Sequence, residues 1–192
     1  MALGAALLVA GCTNDMSGMP MGDQSTAPSS STTATTSAEF NDADVMFAQM
    51  MIPHHEQAVA MSDMLLGKSG LNAEVQTLAT QIKNAQQPEI ETMRGWLTDW
   101  GQPTTASSGG MDHGGGDGMA TMEEMQKLDQ ADAAAGQKMY LQMMVKHHQG
   151  AIRMARDEIA QGKNPQAIEL ARTIDTTQQA EITTMNELLT QL

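Results

Sequence analysis

Met46-Phe47-Ala48-Gln49-Met50-Met51-Ile52-Pro53-His54-His55-Glu56-Gln57-Ala58 returns as Met139-Tyr140-Leu141-Gln142-Met143-Met144-Val145-Lys146-His147-His148-Gln149-Gly150-Ala151, and Met61 returns as Met154, an offset of 93 residues. At an offset of 92 the correspondence resumes, with Leu78, Ala79, Ile82, Gln86, Gln87, Glu89, Ile90 and Met93 set against Leu170, Ala171, Ile174, Gln178, Gln179, Glu181, Ile182 and Met185. The one-residue change falls between the two blocks, where a turn absorbs it. Within the first block Phe47, Met50, Met51, His54, Ala58, Met61 and Leu65 keep the i, i+3, i+4, i+7 spacing of one helix face, and no strand-like alternation competes. Each repeat therefore reads as two helices. The chain is expected to be all-α, a four-helix bundle made of two duplicated helical hairpins.

The helix ends carry their own signals. Asn41 caps the first helix, Asp42 and Asp44 stand in its first turn where the dipole favours anions, and Phe40 can staple onto Val45. The helix should stop between Gly67 and Gly70, with Asn72 capping a second that runs to about Trp100. Thr121-Met122-Glu123-Glu124 opens a short helix with a capping box, a long helix follows from Asp132 to Gln161, and Asn164-Pro165 starts the last. Pro53 is expected to bend the first helix and Pro88 to interrupt the second, because neither supplies an amide hydrogen.

On these helices His54 and His147 fall on the core-facing stripe at equivalent heights. His55 and His148, rotated by about 100°, are expected at its flank, toward a neighbouring helix or the bundle edge, the exposed setting being the one that would serve sites between chains. Met50 and Met51 lie one turn from His54 and His55, and Met143 and Met144 stand likewise to His147 and His148. Imidazoles at core levels would otherwise need buried hydrogen-bond partners, and the stripe offers mostly Met, Ala and Leu, which favours a ligand role. Thioether sulfur is a soft donor suited to Cu(I), and imidazole suits copper in either oxidation state, so Cu(I) is favoured and Cu(II) admitted. The candidate ligands are His54, His55, His147, His148, Met50, Met51, Met61, Met143, Met144 and Met154. Met46, Met64, Met93 and Met185 read as core filler. A di-iron carboxylate centre is excluded, because no His has Glu three residues before it.

Away from the long helices, Met16, Met19 and Met21 lie in a stretch rich in Ser and Thr, Met111, His113 and Met119 lie in a Gly-rich loop over residues 101–121, and Met122 stands just beyond it. Packing does not explain Met where there is no core, so these residues form a secondary, flexible set of metal ligands. Residues 1–11 are an apolar run of signal-peptide length, and Val9-Ala10-Gly11-Cys12 resembles the lipobox of bacterial lipoproteins. The reading is a signal peptide over 1–11, a lipidated Cys12 with a tether over 12–38, and a folded domain over 39–192. The protein is expected in the cell envelope, outside the cytoplasm and anchored to a membrane.

Composition agrees. The chain has 192 residues, 19 of them Met, against 2 Phe, 2 Trp and 1 Tyr. With 10 Lys and Arg against 23 Asp and Glu, the formal net charge is −13, which disfavours nucleic acid and anionic lipid headgroups and favours cations. No nucleophile motif, phosphate-binding glycine loop or paired-carboxylate pattern supports an enzyme.

The pattern Phe47-x-x-Met50-Met51-x-x-His54-His55-x-x-Ala58-x-x-Met61, repeated around Met143, His147, His148, Ala151 and Met154, resembles a bacterial family. That family is domain of unknown function number three hundred and five, which includes copper-binding CopM-type proteins. The resemblance covers about residues 40–192 and implies a ferritin-like bundle, exported, that binds copper through Met and His. Ser62 departs from the usual Ala, and Pro88 from the usual long polar side chain. The function expected is Cu(I) buffering, sequestration or transfer in copper tolerance, with copper ions, the membrane and copper-transport or copper-oxidase proteins as partners. Two other readings compete: a haem-binding electron carrier using Met and His as axial ligands, and a metal-free envelope scaffold.

Overall fold

The computed structural model describes residues 39–105 and 118–192. Cys12, Met16, Met19, Met21, Met111 and His113 lie outside the described residues, as do the signal peptide and tether.

Among the described residues there are five helices and no strand: α1 Asp42–Leu66, α2 Ala73–Asp99, α3 Met122–Gln130, α4 Ala133–Gln161 and α5 Pro165–Gln191. They form a helical bundle in which α1 packs on α2, α4 on α5, and α1 on α4. The caps are those the sequence signals. Asn41 and Asp44 form a capping box on α1, Asn72 caps α2, Thr121 and Glu124 box α3, Asp132 caps α4, and Asn164 caps α5 with Pro165 behind it. Each such cap contributes about 1 kcal/mol by satisfying amide hydrogens that the first turn leaves open.

Two local expectations are corrected, the interruption at Pro88 and the packing role of Met46. Pro88 does not interrupt α2, and α1 is continuous through Pro53. Both prolines are on exposed faces, where water can satisfy the carbonyl four residues back. Phe40 stacks on Trp100, ring centroids 4.8 Å apart, and so ties the start of α1 to the end of α2. Met46 is not core filler, being 51% exposed, whereas Met93 and Met185 are fully buried and Met64 is half-buried.

The turns are held by the helices that pass them. Asp44, buried in α1, accepts hydrogen bonds from the amides of Asn41 (2.6 Å), Lys163 (3.1 Å) and Asn164 (2.9 Å), which fixes the α4–α5 turn. At the corresponding place in the repeat, Gln137 of α4 accepts from the amide of Asn72 at 3.0 Å and fixes the α1–α2 turn. Ser62 also acquires a role. Its hydroxyl donates to the Ala58 carbonyl (2.8 Å) and lies 3.0 Å from the Tyr140 hydroxyl, giving that buried phenol a polar partner.

The apolar core is in two pieces. One contains Ala58, Met61 and Leu65 of α1, Val75 to Ile82 of α2, Tyr140, Leu141, Met143 and Met144 of α4, and Ile182 to Leu188 of α5. The other contains Phe47 to Ile52, Ile90 to Trp100, Ala151 and Ala155, and Ala167 to Ile174. Between them every long helix contributes buried polar side chains: His54 and His55 from α1, Gln86 from α2, His147 and His148 from α4, and Gln178 from α5. A polar layer thus crosses the middle of the bundle.

Candidate metal centre

The layer is built by helical register. His54 and His55 follow Met51 and Ile52 of one apolar cluster and precede Ala58 of the other; His147 and His148 stand likewise between Met144 and Ala151. All four imidazoles are buried, with exposures of 1%, 0%, 0% and 0% in chain order. Of the two settings expected for His55 and His148, the neighbouring helix holds, and the exposed bundle edge with its inter-chain sites is corrected. At that flank they meet α2 and α5, not solvent.

There each finds a carboxylate. His55 Nε2 lies 2.8 Å from Glu89 Oε2, and His148 Nε2 lies 2.7 Å from Glu181 Oε2. Ionised carboxylates only accept, so in a neutral ring Nε2 carries the proton and Nδ1 presents a lone pair. Burial lowers the pKa of His148, partly opposed by Glu181, so the neutral form is favoured. In both residues Nδ1 is buried without a hydrogen-bond partner among the described residues. A histidine with one nitrogen held by a carboxylate and the other left open is the usual arrangement of a metal ligand.

His54 and His147 meet directly, ring centroids 3.7 Å apart and planes tilted by 35°. Burial first, then the proximity of His54, holds His147 well below the ordinary imidazole pKa. Two cations at that spacing would repel strongly, so protonation of both rings together is disfavoured. Neither ring nitrogen of His147 has a hydrogen-bond partner among the described residues. The buried amide of Gln86 is likewise without one. Each such orphaned group costs about 1–3 kcal/mol, which makes this layer a poor way to build a core and a fitting place for an electrophile.

A cavity of about 370 Å³ opens beside His54, lined by Met50, Met154, Met119, Gln49 and Pro53 among others. Glu56 and Arg94, paired with each other, also line it. Thr104, Thr105 and Met119, near the two described ends of the central loop, reach the same cavity. A second cleft of about 500 Å³ shares Met50 and Met154 with it and is walled by Asp42, Asp157 and Glu158, with exposed Met46 beside them.

The structure sorts the candidate methionines. Met50, Met119 and Met154 line the His54 cavity. Met51, Met61, Met143 and Met144 are packed inside the apolar clusters. Met122 is 90% exposed at the start of α3, away from any core. Among the described residues no three His, Cys, Asp or Glu side chains gather as a chelate, so nitrogen and oxygen donors alone do not supply one there. Met50, Met119 and Met154 border the same cavity as His54, and thioether sulfur is a soft donor. Glu89 and Glu181 were not singled out by sequence reasoning. Their signal was present, since they recur in the same repeat as the histidines they hold.

These features define an all-helical bundle whose core is crossed by a histidine layer opening onto a methionine-lined cavity. The family model described as domain of unknown function DUF305 matches residues 44–189, and the chain belongs to that family. The structure is similar to that of a DUF305 fragment from Deinococcus radiodurans, with 32% identity, TM-score 0.72, and 79% of this chain and 98% of that one covered. It is similar to a DUF305 protein from Streptomyces coelicolor described as secreted, with 36% identity, TM-score 0.72, and coverage of 78% and 91%. It also resembles CopM in a Cu(I)-bound form, with 29% identity, TM-score 0.63, and coverage of 77% and 96%. No curated protein matches the chain.

Proposed function

We propose that the protein binds copper outside the cytoplasm, favouring Cu(I), and buffers it or passes it on, contributing to copper tolerance. The observation that carries this reading is the buried layer of imidazoles meeting a cavity lined by thioethers at Met50 and Met154. His54, with these two sulfurs, is the primary ligand set. His147 supplies a further nitrogen against His54, and His55 and His148 present carboxylate-oriented rings in the same layer. The cleft that shares Met50 and Met154 gives these sulfurs a second approach, bordered by Asp42 and Asp157 and by Arg153. CopM has been solved with Cu(I), with Cu(II) and with silver, a pattern in keeping with soft donors.

The same reading makes the bundle ferritin-like, with four long helices descended from a duplicated hairpin. It also places a signal peptide over 1–11, a lipid on Cys12 and a tether over 12–38. Copper-transport or copper-oxidase proteins are the partners this role calls for, and no catalytic step is assigned. The secreted relative supports export. No helix among the described residues is long and apolar enough to cross a membrane. A haem role is disfavoured because the rings of His54 and His147 are in contact, with no room for a macrocycle between them.

The deciding experiment is an anaerobic Cu(I) titration of the full chain against a competing chelator. Wild type should hold copper at least tenfold more tightly than a variant with His54, His55, His147 and His148 all changed to Ala. Equal affinities would remove the bundle site.

A further inference from the structure

The end of the central loop is clasped between two helices. Gln57 of α1 donates from Nε2 to the Ala120 carbonyl at 2.9 Å and accepts from the Ala120 amide on Oε1 at 2.7 Å. Two residues earlier, Gly118 is buried and left-handed, φ +77°. A Cβ there would overlap the Lys146 carbonyl of α4 and come within 3.2 Å of His147 Cα. Only glycine allows the chain to lie this close to the helix that carries the His147 pair.

Met119 sits between these two fixed points. It is half-buried and lines the cavity with Met50, His54 and Met154. It lies outside every helix, and no buried apolar cluster includes it, so packing does not account for its place. Three sulfurs and one imidazole would then border one cavity, a set that selects monovalent copper or silver over harder divalent ions.

We propose that Met119 is a third thioether ligand of the His54 site, and that Gln57 and Gly118 are positioning residues that clamp the loop end against α1 and α4 to hold it there. This rests on the reading of the cavity as a copper site. It moves Met119 from a separate flexible set into the bundle site and makes the α1–α4 groove part of the metal selectivity.

The test uses the full chain with one equivalent of Cu(I), measuring affinity by chelator competition and sulfur coordination by X-ray absorption. Met119→Leu, a nearly isosteric change, should lower affinity by about tenfold or more and reduce the copper–sulfur count from three to two. Gln57→Ala and Gly118→Ala should weaken binding similarly, and Gln57→Ala should add little in a Met119→Leu background, since both remove one interaction. His54→Ala serves as the reference. If Met119→Leu leaves affinity and sulfur count unchanged while His54→Ala lowers affinity, Met119 is not a ligand and the site itself stands. If His54→Ala is also without effect, the copper site and the inference built on it both fall.

Discussion

His54 of α1 and His147 of α4, equivalent positions in the sequence repeat, bring their imidazole rings to 3.7 Å at the centre of the bundle. The contact joins the two hairpins through groups that gain little from each other while metal-free. Both rings are buried, and Met51 and Met144 one turn earlier are given over to packing. Stability and ligand capacity therefore compete in this layer, and the competition can be measured.

His147→Leu removes two buried nitrogens that have no hydrogen-bond partner among the described residues. The metal-free variant should be more stable than wild type by about 1–3 kcal/mol in urea denaturation, while its copper affinity falls. A less stable metal-free variant would show that the ring contributes to the fold through contacts other than a ligand's.

Glu89 and Glu181 orient His55 and His148 through bonds of 2.8 Å and 2.7 Å. If these rings take part in binding, Glu181→Ala should weaken copper affinity by about tenfold to a hundredfold and destabilise the metal-free protein by about 1–3 kcal/mol. Glu181→Gln can still accept from Nε2 through its amide oxygen and should lose less of both. Equal losses for the two variants would argue for charge over orientation.

Glu158 lies buried against the α4–α5 turn, and burial, reinforced by the nearby Asp44 carboxylate, raises its pKa to about 8. Between about 4.5 and about 8 the folded state then holds a proton that the unfolded chain has released. Its contribution to stability is complete below the unfolded value and is lost as pH rises through about 8. His147 and His148 act in the opposite sense, because their lowered pKa values cost stability as pH falls below about 6.5. Denaturation of metal-free protein from about pH 5 to about pH 9 should show a loss of stability with rising pH that levels off above about 8 and that Glu158→Gln abolishes, while the opposing acid limb below about 6.5 becomes steeper in the variant. An alkaline limb that survives in the variant would assign it to another group.

Asp44 and Gln137 occupy corresponding places and each fixes a turn, but by different means. Asp44 accepts from three backbone amides, Gln137 from one. Asp44→Ala should cost about 3 kcal/mol or more, because three amide hydrogens lose their acceptor, and Gln137→Ala about 1 kcal/mol. Comparable losses in thermal melts would mean the surrounding backbone finds other acceptors at Lys163 and Asn164.

Helix boundaries were open to sequence reading because their causes are local. Asn41, Asn72, Thr121, Asp132 and Asn164 cap the turns that immediately follow them, and a 3.6-residue period marks each buried face. The core level of His54 and His147 followed from the same period. The setting of His55 and His148 did not, since a side chain 100° from the stripe meets either solvent or a neighbour according to how closely the next helix packs.

The sequence by itself determined which residues form helices, that the His pair and Glu of one repeat recur in the other, and that soft donors are in excess, all of which follow from spacing and side-chain chemistry along the chain. Only the tertiary structure decided which donors share a place. It put Glu89 and Glu181 on the flanking imidazoles, sent Met51, Met61, Met143 and Met144 into the apolar clusters, and brought Met119 to Met50, His54 and Met154. The reason is physical: those outcomes depend on the rotation of each helix against its neighbours and on a loop end held by Gln57, and neither is encoded within one turn of any helix.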